Sequence, residues 1–220
     1  MIRSAASRRI GGRRPGWSLH WRGPCAGGRL RGGVVVPEGF VRALDGFEAV
    51  LAAVPADQWS SPSPCAGWAA VDVAGHVTAG LLVVEMRAAG RPLPQDDPDW
   101  REVAGADPVA SWREVRARMM AALTPEALDR TVPLAFGDAT VREWLEGYPL
   151  EVLVHTWDLA RATGQTVGFD ADLVRSALET AERMAPRGRE AGMVAAEVGV
   201  ADDASDLARL LALFGRDPAA

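Results

Sequence analysis

The stretch Glu151–Gly164, EVLVHTWDLARATG, sets an acid and an imidazole four residues apart among aliphatic and aromatic side chains. At about 100° per residue, with Glu151 taken as zero, Trp144, Tyr148, His155, Asp158 and Ala162 fall within roughly 60° of it. Leu150, Val154 and Trp157 flank this strip on one side, and Leu145, Val152 and Leu159 on the other. The pair lies in the middle of the apolar arc, whereas a solvent-facing ion pair belongs opposite it. Val141–Thr163 therefore reads as a buried helix, capped by Gly164 and kinked at Pro149, which removes one backbone donor.

Working outward, three more amphipathic segments precede this one. Pro37–Val54 carries Phe40, Val41, Leu44, Phe47, Val50, Leu51 and Val54 at spacings of one, three and four. Ala69–Ala89 is a second long helix, stopped by Gly90 and Pro92. Val109–Leu123 is a third, with Trp112, Val115, Met119 and Leu123 as its stripe. Loops rich in Pro, Ser and Asp separate them at 55–67 and 92–99. Thr131–Asp138 is a short extended connection. The expected architecture is all-α: a four-helix bundle over residues 34–164, with a short, mainly helical extension, 165–220, packed on it. The extension holds helices at Asp172–Met184 and Ala204–Phe214, with a break at PRGREAG between them.

The second helix contributes another inward imidazole. His76 shares a face with Val73, Ala79, Gly80 and Val83, while Thr78 and Glu85 point the other way. A buried carboxylate is costly unless its charge is compensated. A divalent cation held by His76, Glu151 and His155 would compensate it, and two imidazoles with one carboxylate suit zinc or a similar first-row metal. Three protein ligands leave a coordination position open. The competing reading is an ordinary i,i+4 Glu/His pair. The HExxH order of zinc proteases is absent.

Charge is distributed unevenly. The 220-residue chain has a net charge of −5, yet residues 1–33 hold eight arginines and no acid. The remainder is strongly acidic, which argues against nucleic acid as a partner. Residues 1–33 read as a disordered, Arg-rich leader, or as sequence upstream of a true start near Val34–Val36, with a nucleic-acid or membrane arm as the alternative. No apolar run approaches the length of a membrane-spanning helix. With two cysteines, Cys25 and Cys65, no disulfide framework is expected, and a reducing cytoplasm is the default location. The absence of lysine excludes lysine-dependent chemistry.

SPSPCAGWAAVDVAGHV, Ser61–Val77, and EVLVHTWDLARATGQ, Glu151–Gln165, resemble the mycothiol-dependent maleylpyruvate isomerase family, part of the DinB/YfiT-like superfamily of metal-binding four-helix bundles. The likeness runs loosely from Pro37 to the closing LLALFGRDP. It implies a metal triad at His76, Glu151 and His155, zinc as the typical metal, and mycothiol or a similar low-molecular-weight thiol as cosubstrate. It also implies transfer or isomerisation reactions in which the thiol adds to a small electrophile.

Asp158 is a candidate for orienting a ligand or the thiol, and Arg161 for holding a carboxylate; a surface pair between them is the alternative. Cys65 reads as a small packing residue and Trp157 as core. Where the family's helix begins with Thr or Ser, Ala69 and Ala70 follow Trp68, a weaker cap by around 1 kcal/mol. The characterised isomerase type carries a full α/β domain after the bundle, so maleylpyruvate itself is not the expected substrate. A non-catalytic metal- or ligand-binding bundle, with a homodimer through one bundle face, is the competing expectation.

Overall fold

A computed structural model describes residues 27–29, 35–96, 98–134 and 137–219. Strand β1 (Gly27–Arg29) pairs antiparallel with β2 (Val35–Pro37), Gly28 opposite Val36. The rest of the segment expected to be a disordered leader lies outside the described residues.

The elements that follow are α1 (Glu38–Ala52), α2 (Ala70–Ala88), α3 (Trp100–Ala104), α4 (Pro108–Ala122) and α5 (Pro125–Leu128). Strands β3 (Thr131–Leu134) and β4 (Gly137–Thr140) then form a second antiparallel pair, Val132 opposite Ala139. Helices α6 (Val141–Gly147), α7 (Pro149–Ala162), α8 (Ala171–Glu190) and α9 (Asp206–Leu213) complete the described chain. The fold is mostly helical, but the two strand pairs correct the all-α expectation. The 131–140 segment pairs with itself because Val132, Leu134 and Ala139 alternate inward with polar or exposed neighbours.

The bundle closes as a ring, with α1 against α7, α7 against α2, α2 against α4, and α4 against α1. Phe40, Leu44, Phe47 and Leu51 of α1 are fully buried within it, with Trp112 and Met119 of α4 and Leu81 and Val84 of α2. The Phe47 and Trp112 rings lie 4.7 Å apart. Trp112 Nε1–H donates to Glu48 at 3.1 Å, so its one polar atom is satisfied at the edge of the core.

The fourth bundle helix is broken at the expected place. Tyr148 keeps helical dihedrals between α6 and α7, and Pro149 begins the new segment. Gly164, at φ 64°, closes α7 in a Schellman turn, with Gln165 N–H donating to Ala160 O at 2.9 Å and Gly164 N–H to Arg161 O at 3.4 Å.

Three features differ from expectation. Helix α3 packs on α2 at Gly75, where a Cβ would overlap the Trp100 carbonyl oxygen. Thr78 is therefore buried rather than outward, its hydroxyl donating to Ala74 O at 2.8 Å. Helix α8 runs through Pro186 to Glu190, its buried face passing from Ala181 and Ala185 before the proline to Gly188 beyond it. It packs on α7, and α9 packs on α8. Among the described residues no helix is long and apolar enough to cross a membrane.

Candidate metal centre

The turn before α2 brings Trp68 against the site. Ser63 N–H donates to Trp68 O and Ala70 N–H to Ser61 O, each at 2.9 Å, folding residues 61–70 back on themselves. Ala69 offers no side-chain cap to α2, as the sequence indicated. Instead Asp72, three residues on, accepts the Ala69 N–H at 2.8 Å, the acidic half of a capping box. Arg101 grips the same carboxylate through two bonds, of 2.8 and 3.1 Å. Those bonds, foremost, hold Asp72 below the usual carboxylate range. The α2 start is thereby tied to α3, and Trp100 is held beside His76.

Helices α2 and α7 then bring His76, Glu151 and His155 together. His76 Nε2 lies 2.9 Å and His155 Nε2 3.1 Å from the same Glu151 oxygen, Oε1. The donor atoms of the three lie within 4.8 Å of one another. Both histidines are buried, and 13% of the Glu151 side chain is exposed. The two imidazoles pack edge to face with centroids 4.8 Å apart. Trp100 meets His76 edge-on at 5.0 Å, and Trp68 covers both rings, 4.9 Å from His76 and stacked at 6.0 Å over His155.

Electrostatically the site is built for positive charge. Burial alone would raise the Glu151 carboxyl, but His155 and His76 outweigh it and hold it below its ordinary value. Burial alone would lower His155; Glu151, Asp158 and Cys65 prevail, leaving it well above its ordinary value. A field that favours an imidazolium also favours a bound cation.

The fit to a divalent metal is supported by the far side of His155. Its Nδ1 lies 2.9 Å from Asp158 Oδ2, so with one proton held there Nε2, on the side of Glu151 and His76, is the ring nitrogen that a metal would take in place of a proton. A carboxylate behind an imidazole is the usual way proteins orient a metal-binding histidine. Asp158, fully buried, also accepts from Arg216, Nε to Oδ1 at 3.2 Å and Nη2 to Oδ2 at 2.8 Å. The Cys65 thiol donates to Oδ2 at 3.1 Å, and Arg216 Nη2 donates to Cys65 Sγ at 3.1 Å.

Of the residues singled out in the sequence, His76, Glu151, His155 and Asp158 are thus brought together. Arg161 is not. It is exposed, its guanidinium 5.8 Å from the Trp157 ring centroid, although it stands only three residues from the buried Asp158. The arginine on the Asp158 carboxylate is instead Arg216, beyond α9. Cys65 is half-buried and packs against the hydrophobic core, and its thiol also meets a carboxylate, a guanidinium and an imidazole. Nothing in local periodicity marks Arg216, since its partners lie 58 and 151 residues away.

Residues 40–160 match the mycothiol maleylpyruvate isomerase N-terminal domain family. The chain belongs to that family. Over 143 residues the chain is 34% identical to two uncharacterized proteins of Mycobacterium tuberculosis, MT0763 and Rv0738. The match covers 65% of this chain and 75% of each relative. Two solved structures share the fold, those of the mycothiol-dependent maleylpyruvate isomerase and of a His-to-Ala mutant of it. Their TM-scores are 0.54 and 0.53, at 18% and 19% identity, covering 76% of this chain and 75% of theirs. This family member therefore has the isomerase's bundle architecture, at an identity that speaks to fold alone.

Proposed function

We propose that this chain is a divalent-metal-binding enzyme that uses a low-molecular-weight thiol, mycothiol or one like it, for transfer or isomerisation on a small electrophile. The observation that carries the reading is the convergence of His76 Nε2, Glu151 Oε1 and His155 Nε2 in a largely buried site of a family member. In this reading those three residues hold the metal, with zinc favoured by the donor set. A cation held there supplies Lewis-acid chemistry that favours the deprotonated form of a thiol placed beside it.

The chain's own groups have separable tasks. Glu151 supplies the negative charge, and His76 fixes the site to α2. Asp158 keeps the His155 proton on Nδ1, so that Nε2 stays a lone-pair donor. Trp68 and Trp100 wall the imidazoles from water and lower the local dielectric.

A non-catalytic metal-binding bundle is the second reading. It is favoured by the polar groups behind His155, which are already partnered within the chain. The test is metal analysis of the purified protein with His155→Ala as control, followed by thiol-conjugation and isomerisation assays on electrophile panels. One tightly held ion that is lost in the variant, together with metal-dependent thiol turnover, supports the enzyme. Full metal loading without turnover for any thiol leaves the binding protein.

A further inference from the structure

His155 belongs to two donor sets. One is the trio with His76 and Glu151; the other is Cys65, His155 and Asp158, whose donor atoms also lie within 4.8 Å of one another. A thiol, an imidazole nitrogen and a carboxylate at that spacing form a chemically competent site for a soft divalent ion. Two trios sharing one imidazole pose a problem of choice, since an ion drawn to the Cys65 side would use Nδ1 and leave Glu151 and His76 without their cation.

One charged group already lies against the second trio. Arg216 lies over the second trio, its Nη2 donating both to Asp158 Oδ2 at 2.8 Å and to Cys65 Sγ at 3.1 Å, while its Nε donates to Asp158 Oδ1 at 3.2 Å. Its Nη1 donates to Phe214 O at 2.8 Å, which anchors the guanidinium to the chain end of α9. The side chain is 15% exposed and Asp158 is fully buried, so this is a built contact of fixed geometry. A guanidinium carries permanent charge and five directed donors, and here it satisfies two of the three groups that a second cation would ligate, the Cys65 sulfur and the Asp158 carboxylate, while His155 Nδ1 is engaged by Asp158.

We infer that Arg216 is a positioning residue that occupies the Cys65–His155–Asp158 trio as a built-in cation, and so directs the metal to His76, Glu151 and His155. The inference rests on the metal-binding reading above. It assigns a task to a residue outside the metal trio, and it makes the Cys65 sulfur a bystander while Arg216 is in place.

The test uses full-length protein carrying Cys25→Ser, so that any sulfur signal reports on Cys65, and cobalt(II) as the spectroscopic probe. The parent is expected to bind cobalt without a sulfur-to-cobalt charge-transfer band. Arg216→Met, which keeps side-chain bulk and removes the charge and all donors, is expected to gain that band. Arg216→Met with Cys65→Ser is expected to lose it again and to bind zinc about 10-fold more weakly than the parent, the low end for loss of outer-shell support. A sulfur band in the parent, or cobalt bound to Arg216→Met without one, would overturn the inference. If Arg216→Met does not fold by circular dichroism, Cys65→Ser alone decides: an unchanged cobalt spectrum supports a sulfur held off the metal, and a changed one overturns it. A folded parent that binds neither cobalt nor zinc would overturn the metal reading itself and this inference with it.

Discussion

His155 Nδ1 lies 2.9 Å from Asp158 Oδ2, one helical turn further along α7, so the ring that meets Glu151 from one side is held from the other by a buried carboxylate. This contact holds the tilt of the imidazole. Asp158→Asn retains the shape and loses the charge, and an amide there can offer its NH2 to Nδ1 and so release the wrong tautomer. We expect zinc affinity to fall about 10- to 100-fold, measured by competition with a chromophoric chelator, with the helical circular dichroism of the parent retained.

Metal removal gives a second prediction. If the ion binds the native state alone, chelation should lower the thermal unfolding midpoint. The loss is about 2.7 kcal/mol when the free ion had been at 100 times its Kd. His76→Ala should show little response to chelator. Equal responses in parent and variant would place the ion elsewhere.

Gly75 gives a prediction from close packing. A methyl group there would meet the Trp100 backbone carbonyl, which cannot swing aside as a flexible side chain can. Alanine ordinarily improves a helix interior by about 1 kcal/mol over glycine. Here Gly75→Ala should instead destabilise by about 1–3 kcal/mol in urea titrations, and it should weaken metal binding by shifting Trp100 from His76. Gly46, on α1, has nothing within 4 Å of its added Cβ, and Gly46→Ala is the control.

The α1–α4 interface sets an acid limit. Burial alone would raise the Glu48 carboxyl, but hydrogen bonds from Arg113 at 2.9 Å, Arg116 at 2.6 Å and Trp112 at 3.1 Å outweigh it, leaving it below its ordinary value. A depressed carboxyl contributes stability above the unfolded pKa, about 4.3, and loses it as pH falls through the folded value. Glu48→Gln should therefore cost roughly 1–2 kcal/mol at pH 7 and progressively less as pH falls below 4, read as converging denaturant midpoints.

Much of the bundle was legible because its determinants are local. The stripes on α1, α4 and α7 repeat at helical spacing over more than three turns, and Pro149 and Gly164 mark the break and end of the fourth helix. The inward placement of His76, Glu151 and His155 follows from the same periodicity.

What escaped depends on distant partners. Arg101 lies in a Pro/Asp-rich region, and its importance appears only when Asp72 is beside it. Thr78 faces away from His76 on the wheel, yet α3 buries that side as well. The break expected at PRGREAG, after a helix ending at Met184, does not come at Pro186, because the packed face of α8 continues to Gly188. Spacing offers Arg161 as a partner for Asp158, while the guanidinium on that carboxylate comes from Arg216.

That last contact ties the tilt of one imidazole to the seating of a distant segment. If α9 lifts from α8, the guanidinium leaves Asp158 and Cys65 together, although neither ligand-bearing helix has moved. On the proposed metal reading, slow breathing at the periphery would register as a change in metal preference, and amide hydrogen exchange in α9 should follow occupancy of a proposed centre whose candidate ligands lie on other helices.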